Sequence, residues 1–182
     1  MAQGRMAGRP EPSPGLLRRL DALGRAGFPA ASTALLLILA AAPVGLPGLV
    51  PAVALPCVFF WSVFRPAAIP PPAAFGLGML QDLLTLAPLG SGVVILLLVH
   101  GLAVHWRRFL ARQSFLFVWL TFCGFAAGAA GLGFLLQAVL GWRMPAPTSG
   151  LLELALTIGL YPALALLLTR AHGAMRRAEE TA

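Results

Sequence analysis

The chain of 182 residues contains no lysine, and charge of either sign is scarce: thirteen arginines stand against six carboxylates, and charged residues make up 10%. A soluble domain carries about 25% charged residues. With 59% hydrophobic residues and a mean hydropathy of +0.86, the chain has too much apolar surface for a single soluble core. An integral membrane protein is the class that follows. Cysteine is almost lacking too. Cys57 and Cys123 each sit in an apolar run and neither forms a CxxC pair, so both read as small buried hydrophobes rather than as a disulfide framework or a metal site. No HExxH, GxSxG, phosphate-binding glycine loop or pair of neighbouring carboxylates occurs. His100 and His105 are five residues apart, on divergent helix faces, and make a poor metal pair. No enzyme, cofactor or metal is therefore expected. Basic residues interleaved with aromatics are also missing, which argues against a nucleic-acid partner. The net charge of +7 suits the anionic face of a membrane, so lipids are the expected surroundings.

What is present is a series of apolar runs cut by proline, glycine and arginine. Residues 1–27 read as a disordered tail. Within it, Leu16, Leu17, Leu20 and Leu23 fall at helical spacing between charges. That short stretch is either a surface helix or the frayed start of the first spanning helix. Phe28 to Phe64 carries no charge, and as one helix it would be about 55 Å long, against roughly 30 Å for one crossing. Pro43, Gly45, Pro47 and Gly48 split it into helices at about 28–43 and 48–64. Ala40–Ala42 resembles a signal-cleavage site, but the preceding charged region is long and Pro43 would follow the cut, so the first helix is expected to be retained. Pro66 and Pro70–Pro72 form a stiff connector. Further helices are expected at about 73–89, 92–106, 114–141 and 151–169. The membrane domain spans 28–170, and residues 171–182 form a second tail.

The arginines orient this layout. With the N-terminus inside, the cytoplasmic segments hold twelve arginines and the outer loops only Arg143. Such a bias is the signature of cytoplasmic connections. The expected fold is thus all-α, a polytopic bundle of about six transmembrane helices with both termini cytoplasmic. Trp61 and Trp106 fall at inner helix ends and Trp142 at an outer one, where interfacial aromatics belong.

The central stretch is Phe75 to Gly92, FGLGMLQDLLTLAPLGSG. Asp82 is the only charged residue between Arg65 and Arg107. A lone aspartate at the centre of a membrane helix costs about 2.5–3.5 kcal/mol on insertion scales. Phe75, Gly78, Asp82, Thr85 and Leu89 would share one helix face, placing Asp82 about 14 Å into the membrane, near its midplane. Asp82 then reads as a proton or ion relay, a substrate ligand, or a structural pin, protonated if unpaired. His100 lies at a similar distance beyond the Gly90 turn and is its expected partner. Gln81 is one of few other polar residues in the helix interiors, with Thr85 and Gln137. Glu153 has no second acid nearby in sequence and is expected at the outer end of the last helix. Pro88 and Gly90 to Gly92 close the stretch in a tight turn. Gly124 and Gly128, continued by Ala127, Gly131 and Gly133, give the fifth helix a small-residue surface that packs either within the chain or against a partner's transmembrane helix.

Pro56, then FFWSVFRP with Trp61, Arg65 and Pro66, then the stretch with Gly78-Met-Leu-Gln-Asp82 and Leu89-Gly90, resembles the signature of the bacterial rod shape-determining MreD family. The resemblance at residue level covers about 56–92. It implies a non-enzymatic inner-membrane scaffold of the cell-elongation complex, supporting cell shape and lateral peptidoglycan synthesis. Its implied partners are MreC and, through the complex, MreB, RodA and its transpeptidase partner. It also implies a fold similar to the substrate-binding membrane subunits of energy-coupling-factor transporters. A vitamin-type uptake subunit is the competing reading, and the scarcity of polar side chains in the helix interiors speaks against it.

Overall fold

The computed structural model describes residues 16–42, 48–141 and 147–180. These form six α-helices and one short 3-10 turn, with no strand among the described residues: α1 Leu16–Ala40, α2 Leu49–Phe64, the turn Pro66–Ala68, α3 Pro71–Thr85, α4 Ser91–Leu110, α5 Phe115–Gly141 and α6 Pro147–Glu180. Three stretches are long and apolar enough to cross a membrane, Ser91–Leu110, Phe115–Leu140 and Thr148–Gly173. Two shorter apolar helices, Gly27–Ala40 and Leu49–Phe64, accompany them. The chain thus has the make-up of a membrane protein.

The bundle is built around α2, which touches every other α-helix. All of its residues except Leu49, Pro51 and Phe64 are buried. A helix that is hydrophobic all round has no face to give to water, and here the other helices cover it. Phe59 projects from it into an aromatic cluster, with ring centroids 5.2 Å from both Phe122 and Phe125 and 6.1 Å from Tyr161. Phe122 and Tyr161 stack at 4.2 Å, joining α5 to α6. Trp61 is fully buried beside Phe60, with the His172 ring 6.3 Å away. Trp61, expected to face the membrane interface, is instead enclosed by the bundle, while Phe64 one turn further along α2 is 41% exposed. Trp106 is half exposed, as an interfacial residue should be. Trp142 lies outside the described residues.

Several helix bounds differ from expectation. The stretch around Leu16 is helical and continuous with α1, which matches the second of its two readings, the start of the first helix. The expected disorder of residues 1–15 lies outside the described residues. α3 starts at Pro71 rather than after the prolines, because a helix's first turn does not need the N–H that proline lacks. It stops at Thr85 rather than 89. α4 continues past Trp106 to Leu110, which places Arg107 and Arg108 in its last turn, where cations favour the carbonyl end of the dipole. α6 runs on to Glu180, so the second tail is helical through that residue.

Candidate functional site

The site grows out of the α3–α4 hairpin. α3 ends with Leu86 in the left-handed conformation, φ 52°, and the N–H groups of Leu86 and Ala87 both donate to the Asp82 carbonyl. This is a Schellman-type ending with leucine where glycine is usual. Leu86 is 91% exposed, and its own Cβ carries the strain of the left-handed conformation, about 1–2 kcal/mol. The chain then turns back through Pro88. The Pro88 carbonyl accepts the Ser91 N–H at 3.1 Å and the Ser91 hydroxyl at 2.8 Å. Gly90 starts α4 with φ 98°, a value that excludes most other residues.

This geometry decides what Asp82 does. Its Oδ2 accepts the Gly90 N–H at 2.7 Å and its Oδ1 accepts the Gly92 N–H at 2.7 Å. Ser91 Oγ lies 3.3 Å from Oδ1. One carboxylate on α3 therefore caps the N-terminus of α4, supplying acceptors to amides that have no helical partner. The N-terminal end of the helix dipole favours negative charge at this place. With both oxygens accepting backbone N–H groups, Asp82 fastens α3 to α4, which is the geometry of a structural pin.

Asp82 is 1% exposed and level with the first turn of α4. α3 stops at Thr85, and Leu89, two-thirds exposed, belongs to the turn instead of the helix face it was expected to share with Asp82. For the same reason His100 does not pair with Asp82. His100 lies more than two turns further along α4, where its Nδ1 is 2.8 Å from Ser62 Oγ on α2. That contact was not foreseen: Ser62 is one hydroxyl in an aromatic-rich run, and nothing local singles it out.

The two glycines of the hairpin are set by the same close approach. A Cβ on Gly78 would lie 2.5 Å from the Val93 Cα and 2.8 Å from its nitrogen. A Cβ on Gly92 would lie 2.5 Å from Asp82 Oδ1 and 3.1 Å from Gln81 Nε2. Gly78, Gln81, Asp82, Pro88, Gly90 and Gly92 thus form one unit. Trp61 sits apart from it in the core, and Arg65 and Pro66 lie on the connector after α2.

A cavity of about 370 Å³ opens beside this unit, bounded by the start of α2, the α3–α4 turn, α5 and α6. Gln81, Asp82, Thr85, Gln137 and Glu153 all line it. The sequence scatters these polar residues over three helices, and the fold gathers them. Glu153, expected to have no second acid near it, lines the same cavity as Asp82. Gly124 and Gly128 lie elsewhere, in an apolar groove of about 560 Å³ between α4 and α5. A Cβ at either would meet nothing within 4 Å, so neither packs inside the chain. Cys57 and Cys123 are free thiols, the first buried and the second half-buried. Among the described residues no three His, Cys, Asp or Glu side chains come together as a metal site. No protein-family model, curated protein or solved structure matches the chain.

Proposed function

We propose that this chain is a non-enzymatic scaffold of six membrane-spanning helices that acts by binding other membrane proteins. The cell-elongation complex implied by the MreD-like stretch at 56–92 is the assembly it serves. The observation that carries this reading is the small-residue strip of α5, left unpacked in an apolar groove. Small residues let a second helix approach closely and gain dispersion contact. Asp82, the acid most suggestive of chemistry, has both carboxylate oxygens engaged in capping α4, which also favours a structural role.

The test is co-purification from native bacterial membranes. On this reading the chain brings down MreC, and with it MreB, RodA and the transpeptidase, whereas recovery of an ATPase module without MreC would refute it. That second outcome fits the competing reading of a transporter's substrate-binding subunit, which the polar cavity beside Asp82 favours.

Gly128→Leu separates docking from internal packing. Because a Cβ at Gly128 meets nothing within 4 Å and the groove beyond it is open, the isolated protein should keep its stability within about 0.5 kcal/mol. Recovery of the partner should fall. A Gly128→Leu protein that unfolds on its own would show that the strip serves the chain's own packing.

Inner-membrane placement with cytoplasmic termini rests on the arginine bias and is tested by reporter fusions. Fusions at Gly45, Gly90 and Pro147 should report outside, and those at Ala68, Ala111 and Ala182 inside. An outside signal at Ala182 is incompatible with six spans.

A further inference from the structure

The turn between α3 and α4 is built without a polar side chain: residues 86–90 read LAPLG. Turns that face water draw mostly on Asn, Asp and Ser beside glycine and proline. Here Leu86 is 91% exposed and Leu89 66%, and Leu83, in the last turn of α3, is 59% exposed. Leu86 also holds φ 52°, which glycine would adopt without strain. The chain covers almost none of the Leu86 side chain, so what favours a leucine there lies outside the chain. The depth of the turn indicates what that is. Trp106 marks one membrane interface, half exposed and followed by Arg107 and Arg108. From Trp106 back to Ser91, α4 rises about 22 Å, and α3 rises about 21 Å from Pro71 to Thr85. The hydrocarbon core of a bilayer is about 30 Å thick. Both arms of the hairpin therefore end short of the opposite headgroups. Non-helical backbone at such a depth needs its polar groups met within the protein. The N–H groups of Leu86, Ala87, Gly90, Ser91 and Gly92 all are, by Asp82 or by the Pro88 carbonyl.

We propose that this turn is a lipid anchor. Leu86 and Leu89 lie among the acyl chains of the leaflet opposite Trp106, just inside its headgroups. Phospholipid hydrocarbon is the partner that fits, because the turn offers leucines and no ionisable group, and both arms stop at acyl-chain depth. Asp82 acquires a second consequence: by supplying acceptors to Gly90 and Gly92 it lets the chain reverse where water is scarce. The anchor rests on α3 and α4 lying in the membrane as antiparallel spans, as in the layout proposed above. It does not rest on the scaffold role or on which face is cytoplasmic.

The experiment uses the full chain in phosphatidylcholine nanodiscs, spin-labelled at one cysteine at a time. Cys123→Ala removes the half-buried thiol, and the buried Cys57 stays. Labels are placed by Leu86→Cys and Leu89→Cys. Gln113→Cys, in the exposed turn after α4, is the water reference, and Leu166→Cys, 67% exposed within the α6 span, is the lipid reference. Power saturation reads collisions with oxygen, which enters hydrocarbon, and with a nickel chelate, which stays in water. At 86 and 89 nickel should collide about threefold less, or lower still, than at 113, while oxygen collides about as often as at 166. If Leu89→Cys does not elute as the wild type does on size exclusion, Leu86→Cys decides, since its side chain is almost uncovered. Nickel access at 86 equal to that at 113 would put the turn in water and overturn the anchor. Exclusion of both reagents would mean that protein, from this chain or a second copy, covers the leucines, and would overturn it as well. Nickel access at 166 would refute the spanning layout itself, and the anchor with it.

Discussion

Asp82→Ala is expected to unfasten the α3–α4 hairpin. The substitution removes both acceptors from the Gly90 and Gly92 N–H groups and leaves one half-buried and one buried amide unpaired at the start of α4. Hydrogen bonds to a charged group contribute about 1.5–3 kcal/mol each, so the loss should be roughly 3 kcal/mol or more. Thermal unfolding in nanodiscs should show it as a lowered midpoint, and amide exchange should speed up at residues 90–93 before it does elsewhere. Asp82→Asn is the discriminating variant. An amide keeps one acceptor oxygen but sets an NH2 group against the second backbone N–H, so it should lose about half as much. A relay or ion ligand behaves differently: both variants would keep their stability and both would fail in cell-shape complementation. Wild-type stability of Asp82→Ala would sink the capping assignment.

Gly78→Ala carries the second large effect. The new methyl would lie 2.5 Å from a backbone atom of Val93, which cannot rotate away as a flexible side chain could. α3 and α4 must separate, and overpacking of this kind costs about 1–3 kcal/mol. Separation also pulls Asp82 from its donors, so Gly78→Ala and Asp82→Ala should be strongly non-additive. Gly76→Ala is the internal control on the same helix. Its Cβ meets nothing within 4 Å, and replacing a helical glycine by alanine gains up to about 1 kcal/mol. Opposite signs for the two variants, measured by thermal unfolding, would mark the close approach. A neutral Gly78→Ala would argue that the helices sit further apart.

Some of this architecture was legible in the residues alone. The apolar runs, cut by Pro43–Gly48 and by the arginines, gave the helical class and the helix order, because burial in lipid demands helices and periodicity marks their faces. Asp82, Gly78 and Gly90 stood out as exceptions to their surroundings, and each proved to serve the hairpin. The partners of these residues were a different matter. Pairing Asp82 with His100 assumed that α3 runs to Leu89, and nothing in the sequence marks Leu86 as a helix stop, since leucine seldom takes the left-handed conformation. A four-residue difference at a helix end left Asp82 near the end of α3, level with the first turn of α4. Trp61 read as interfacial because it precedes Arg65, but only packing shows that its side chain is enclosed by the bundle. Glu153 and Gln81 are far apart in the chain, and their meeting in one cavity depends on how α6 is rotated against α3. The glycines of α5 were visible, whereas their lack of an internal partner was not. Local pattern determines which segments are helices and which faces are apolar. Rotation, depth and the end of each helix are settled by side chains from elsewhere in the chain, so tertiary structure alone decided them.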